Sequence, residues 1–160
     1  MDRLRLVVWR PHTTIILSIG IVLILVGLVA SFAVSHFKPT TEVRLGSGVY
    51  SLWKSDTEAT RIQGLSGVEK LNPNGGMLFV FDSDNTHGIW MKDMNVSLDI
   101  VWLDSNKKVV YIVKNAPPEN PATTIYSPKD KARYVIELAA GSVQKAGIKT
   151  GDIANFNLDV

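Results

Sequence analysis

Residues 75–103 read GGMLFVFDSDNTHGIWMKDMNVSLDIVWL. Three apolar runs, 77–81, 89–91 and 96–103, are parted by DSDN and KDMN, whose Asp, Asn and Ser residues favour turns. The spacing predicts three strands joined as an antiparallel meander. Two of the four tryptophans, Trp90 and Trp102, and three of the four methionines fall here, so a hydrophobic core is expected to form around this stretch.

Working outward, residues 43–45 and 49–53 flank Gly46-Ser47-Gly48, which suits a hairpin. Ser55-Asp56-Thr57-Glu58 has the pattern of a capping box, with Ser55 and Glu58 satisfying opposite N–H groups, and Gly64 is expected to stop that helix. The LNPNGG run at 71–76 is turn chemistry leading into Met77. Beyond the meander, 109–113, 134–138 and 153–158 read as strands and 142–146 as a helical turn closed by Gly147. The NAPPENP run at 115–121 belongs to a loop, because proline cannot serve a sheet interior. Six to eight strands and one or two short helices make the domain mainly β, a β-rich α+β fold. Closing a small antiparallel sheet into a barrel-like body would remove its exposed edges, and that is the architecture expected.

The N-terminus is different in kind. Residues 15–34 are 20 positions without a charge, rich in Ile, Leu and Val. At about 1.5 Å per residue they would span roughly 30 Å, the thickness of a hydrocarbon core. Arg3, Arg5 and Arg10 precede this run and Lys38 follows it, so the positive-inside bias puts the N-terminus in the cytoplasm and the remainder outside. A cleaved signal peptide is the competing reading, with Ser31-Phe32-Ala33 as its site, but an uncleaved signal anchor suits the length of the apolar run better. The chain is thus divided into a cytoplasmic tail (1–14), a transmembrane helix (15–34), a spacer (35–42) and an extracytoplasmic β domain (43–160).

Of the 17 basic and 15 acidic residues, residues 1–40 hold four and one, leaving 13 and 14 in the rest. The pI of about 8.9 therefore belongs to the N-terminal segment, and a nucleic-acid partner is not expected. The absence of cysteine removes disulfides, thiolate nucleophiles and Cys-bound zinc.

Several motifs together carry a likeness. They are Gly64-Leu65-Ser66-Gly67, the GMLFVF run at 76–81, Trp90-Met91-Lys92 with Met94, Leu98-Asp99-Ile100, and the YVIEL run at 134–138 followed by Gly141, Gly147 and Gly151-Asp152. In this order they resemble the domain of unknown function 192 (DUF192) family over residues 43–158. The resemblance implies a compact β-rich domain, often exported or membrane-tethered, in bacteria and archaea, and brings no activity with it. Members often carry Arg two residues after the position of Ser66, where this chain has Val68.

Candidate chemistry rests on two carboxylates inside strands. Alternation places Asp99 beside Val101 and Leu103, and Glu137 beside Val135 and Ala139. A buried carboxylate needs a partner, and Lys92 is the nearest cation in sequence, with His87 and Arg61 behind it. One reading makes Asp99 and Glu137 an acid/base or ligand-binding pair beside Lys92, with Trp90 as an aromatic wall and Tyr126 as a further candidate; glycan hydrolysis would use such a pair. The structural alternative has Asp99 bonding backbone N–H groups, Glu137 tied to Lys92 or Arg133, and Trp90, Met91 and Met94 filling the core. No metal or cofactor is expected: His87 is the one histidine in the domain, and Asp82-Ser83-Asp84-Asn85 lacks the Gly and Glu of a calcium loop. Neither a nucleophile elbow, a P-loop nor a dinucleotide fingerprint is present.

The sequence thus points to a membrane-anchored extracytoplasmic binding or accessory module, non-catalytic, engaging a small ligand, a glycan or an envelope protein through Trp90, Lys92 and the Pro117-Pro118 loop. A hydrolase of envelope glycans using Asp99 and Glu137 is the alternative.

Overall fold

The protein is described from a computed structural model, covering residues 39–121 and 123–158 together with Ile21, Val22 and Ile24. The chain divides into two units, Met1–Lys38 and Pro39–Val160. Of the first, Ile21, Val22 and Ile24 are helical; the expected membrane-spanning run otherwise lies outside the described residues. Among the described residues no helix is long and apolar enough to cross a membrane.

The second unit opens with the expected hairpin, β1 (Thr40–Leu45) and β2 (Gly48–Ser55), whose turn needs the left-handed backbone of Gly46 at φ 58°. A six-residue helix, α1 (Glu58–Gln63), follows and ends at Gly64 as expected. Its cap lies two residues later than the sequence suggests. The Thr57 hydroxyl accepts from the Thr60 N–H at 3.2 Å, and Thr60 Oγ1 accepts from the Thr57 N–H at 3.1 Å. Ser55 cannot serve because it is still the last, buried residue of β2.

The remaining elements are β3 (Gly75–Asn85), β4 (Ile89–Trp90), β5 (Leu98–Leu103), β6 (Val109–Ala116), β7 (Ile125–Tyr126), β8 (Ala132–Ala139) and α2 (Ser142–Ala146). Six strands form one sheet in the order β1-β2-β3-β8-β5-β6, and β4 pairs with β7 in a separate ribbon. The expected meander is therefore wrong. β8 lies between β3 and β5, and β4 leaves the sheet altogether.

The antiparallel barrel is corrected as well. β2 and β3 run parallel, and β1 and β6 do not pair, so the sheet stays open. Its outer strands are blunted by another device. The segment expected as a closing strand, 153–158, forms no strand; it bridges Asn155 to Arg44 on β1 and Ile153 to Lys108 beside β6. Lys107 holds its end, with Nζ 2.6 Å from the Phe156 carbonyl and 4.5 Å from the centre of that ring. A covering segment that bonds both edges does the work closure would have done.

At its central strands the sheet is buried on both faces, which explains why all six residues of β5 are inaccessible. Leu52, Leu78, Val101, Leu103, Ile136 and Leu138 face one core, covered by α2 and by Ala154 and Phe156. Met77, Phe79, Ile100, Trp102 and Val135 face the other, covered by Leu65, the β4–β7 ribbon, Met91 and Met94. At Gly76 the backbone of β8 comes so close that a Cβ there would strike the Glu137 carbonyl. That contact fixes the height of Glu137 in the sheet.

Candidate functional site

The second face of the sheet is not completely filled. A cavity of about 210 Å³ lies between α1, the middle of β3, the β4 segment and Glu137 near the end of β8. Its walls follow from local sequence. Alternation along β3 sends Phe79 and Phe81 to the same side, where their rings stack 6.4 Å apart. Gly64 turns the chain out of α1 so that Leu65 is buried. Ile89 and Met94 come in from the segment around β4, and Trp90 stands at the edge, 47% exposed.

Glu137 lines this cavity from the strand interior and is 4% exposed. Its Oε2 is buried without a hydrogen-bond partner, and among the described residues no cation stands within ion-pair distance of its carboxyl. Loss of hydration disfavours the charged form, so the carboxyl is pushed up to about 8 and holds its proton at neutral pH. The pairing expected with Lys92 or Arg133 does not occur. Lys92 is largely exposed and lies 3.8 Å from Asp93, and Arg133 lies 3.5 Å from Asp84.

Arg61 is the cation on the cavity wall, projecting from α1. Its Nη1 donates to the Val80 carbonyl at 2.8 Å, its Nη2 lies 4.0 Å from Asp82, and its guanidinium sits 5.3 Å from the centre of the Phe81 ring. His87 stacks on Phe81 at 3.6 Å, and its backbone carbonyl accepts the Trp102 indole N–H at 2.8 Å. Tyr126 stands across the ribbon from Ile89, half-buried against the same core. Asp82 and Asp84, which superficially suggest an ion loop, lie in β3 beside Arg61 and Arg133. Among the described residues, no three His, Asp or Glu side chains are gathered as metal ligands.

Asp99 does something else. On β6 a bulge opposite Asp99 leaves the Asn115 N–H without a ladder partner, and Asp99 Oδ1 accepts it at 2.9 Å. Oδ2 accepts the Val143 N–H at 2.8 Å, in the first turn of α2. The N-cap of that helix is Gly141, which has no side chain to do so, and the carboxylate of a neighbouring strand takes its place. Burial first, and then the charge of Asp99, raise the nearby Tyr50 hydroxyl above its ordinary value.

Over this frame, residues 41–156 match the model of the family DUF192, Uncharacterized ACR. The chain belongs to the DUF192 family. A UPF0127 protein of Thermococcus gammatolerans is 34% identical over 106 residues, covering 65% of this chain, and one of Thermococcus kodakarensis is 31% identical over 104 residues, covering 64%. The aligned parts span 65% and 62% of those relatives' own length. Among solved structures, a Sinorhizobium meliloti protein named as a candidate transcription regulator is 28% identical with a TM-score of 0.69, covering 73% of this chain and 93% of its own. A Novosphingobium aromaticivorans protein of unknown function is 25% identical with a TM-score of 0.67, covering 72% and 83%.

In this DUF192 domain the sequence-derived candidates separate into groups. Trp90 and Glu137 share the cavity, Tyr126 and His87 back its walls, Lys92 lies on the surface, and Asp99 serves the opposite face. Phe79, Phe81, Leu65 and Met94 also line the cavity and are not among the sequence-derived site candidates. The i, i+2 spacing of two phenylalanines beside a turn glycine was the available signal.

Proposed function

We propose that the domain is a non-catalytic binding module that takes a small ligand into the Glu137 cavity. It is carried outside the cytoplasmic membrane by a signal anchor at residues 15–34. The observation that carries the binding reading is the cavity itself: about 210 Å³, lined mainly by aromatic and aliphatic side chains, with the buried Glu137 in its wall. Mostly apolar concavities with a few placed polar groups are where proteins hold small molecules. A buried carboxyl with an unpartnered oxygen, as at Glu137 Oε2, costs stability. Retaining it is rational where something else completes it.

The anchor is supported by the 20 uncharged residues and by three arginines ahead of them. Hydrolysis by Asp99 and Glu137 has no support, since Asp99 is fully engaged with two backbone N–H groups on the other face. Nor does the regulator name of the Sinorhizobium relative transfer easily, given 13 basic against 14 acidic residues beyond residue 40.

The test is to titrate the full chain with a mixture of small ring compounds while following the Leu65 and Met94 methyl resonances. Shifts confined to these and neighbouring walls, abolished by filling the space with Met94→Trp, support the reading. A folded protein whose cavity methyls never move contradicts it.

A further inference from the structure

The polar chemistry of the cavity narrows what it can hold, an inference that rests on the binding reading above. We propose that its ligand is a small, uncharged, mainly apolar molecule, about the size of one substituted ring, whose single polar group accepts a hydrogen bond from the Glu137 carboxyl. A cavity of about 150 Å³ is enough for benzene, so about 210 Å³ leaves room for a ring and a short substituent.

Charge decides against ions of either sign. An ammonium ligand brings three donors and needs acceptors for each, while the buried wall offers one carboxyl and already includes the Arg61 guanidinium. An anion would face the Glu58 carboxylate, and an arginine already engaged by the Val80 carbonyl and flanked by Asp82. Glu58 and Arg61 from α1 are the other charged groups on the wall, and His87 from the β3–β4 connection lies behind Phe81. None of them neutralises an ion at Glu137. A neutral acceptor such as a hydroxyl, ketone or amide oxygen requires no charge to be desolvated, and a protonated carboxyl is built to donate to it.

Toluene, benzyl alcohol, benzylammonium and benzoate share one ring and differ in that single group. Each is titrated into the full chain at pH 6, with Glu137→Gln and Glu137→Leu in parallel, and affinity is read from the cavity methyl shifts. Benzyl alcohol is expected to bind about five- to tenfold more tightly than toluene, the value of one buried hydrogen bond, with both ions weaker than toluene. Glu137→Gln, whose amide also donates, keeps that preference. Glu137→Leu loses it while still binding toluene, which shows the variant folded. Tightest binding by benzylammonium or benzoate overturns the neutral-ligand proposal, as does equal binding of toluene and benzyl alcohol by the unmodified protein. If none of the four moves the methyl resonances, the binding reading itself fails along with it.

Discussion

Asp99 and Glu137 face opposite sides of one sheet. Glu137 stands across the β5–β8 ladder from Ile100, and Asp99 stands across from Leu138, so neighbouring register positions send the two carboxyls into different cores. One is fully bonded to backbone and the other carries an oxygen with no partner. They are not a catalytic pair; one holds the scaffold and the other lines the cavity.

For Asp99 this assigns a structural cost. Asp99→Asn presents an amide N–H toward one of two backbone N–H groups and loses that bond. Urea unfolding is expected to show a loss of about 2–3 kcal/mol, in the range for hydrogen bonds to charged groups. Toluene binding in the surviving folded fraction should be unchanged; a neutral effect on stability would dissociate Asp99 from the bulge and the α2 cap.

Glu137 makes stability depend on pH in the direction opposite to an ordinary salt-bridged acid. Its folded-state pKa is raised, from 4.5 to about 8, so folding takes up a proton between those values. The stabilisation is complete below the unfolded value and is lost as pH rises through about 8. The slope is of order 1 kcal/mol per pH unit across that window. Glu137→Gln, which cannot titrate, is expected to flatten this part of the curve and to raise the urea midpoint at pH 8 relative to the unmodified protein. Parallel curves for both proteins would contradict it.

Trp90 is half exposed at the cavity edge. Trp90→Ala should therefore cost under about 1 kcal/mol of stability. Ring probes should nonetheless bind several-fold more weakly for want of that wall. Isothermal titration with benzyl alcohol against a thermal melt separates the two effects, and an unaltered affinity would remove Trp90 from the site.

The proposed division of the chain into an anchor and an exported domain has its own check. The full chain should stay with membranes through an alkaline carbonate wash, and protease added outside intact cells should degrade residues 39–160. Protection in cells together with degradation in inverted vesicles would reverse the orientation, and a mature form starting near Val34 would replace the anchor by a cleaved signal.

What could be read ahead of the structure was local. The Gly46-Ser47 turn, the stop at Gly64, the strands around 109–113 and 134–138 and the turn of helix at 142–146 each follow from a few adjacent residues. Alternation also places Asp99 and Glu137 correctly among their own strand neighbours, and the structural alternative for Asp99, bonding to backbone N–H groups, is what the structure shows. Strand order was not legible. β8 inserts between β3 and β5, and β2 joins β3 in parallel, through contacts distant in sequence and set by which faces must be buried. For the same reason the relative faces of the two carboxyls could not be known, because they depend on the β5–β8 register. Proximity in sequence makes Lys92 the expected partner, but just after β4 it points to solvent beside Asp93.

The most direct measurement is a ¹³C NMR titration of the Glu137 side-chain carboxyl in the ligand-free full chain. The expected result is a single transition near pH 8, with the resonance in its protonated position at pH 6. A transition in the ordinary carboxylate range, near 4.5, would mean that Glu137 is hydrated or paired, and the site described here would not exist as a protonated donor in an apolar cavity.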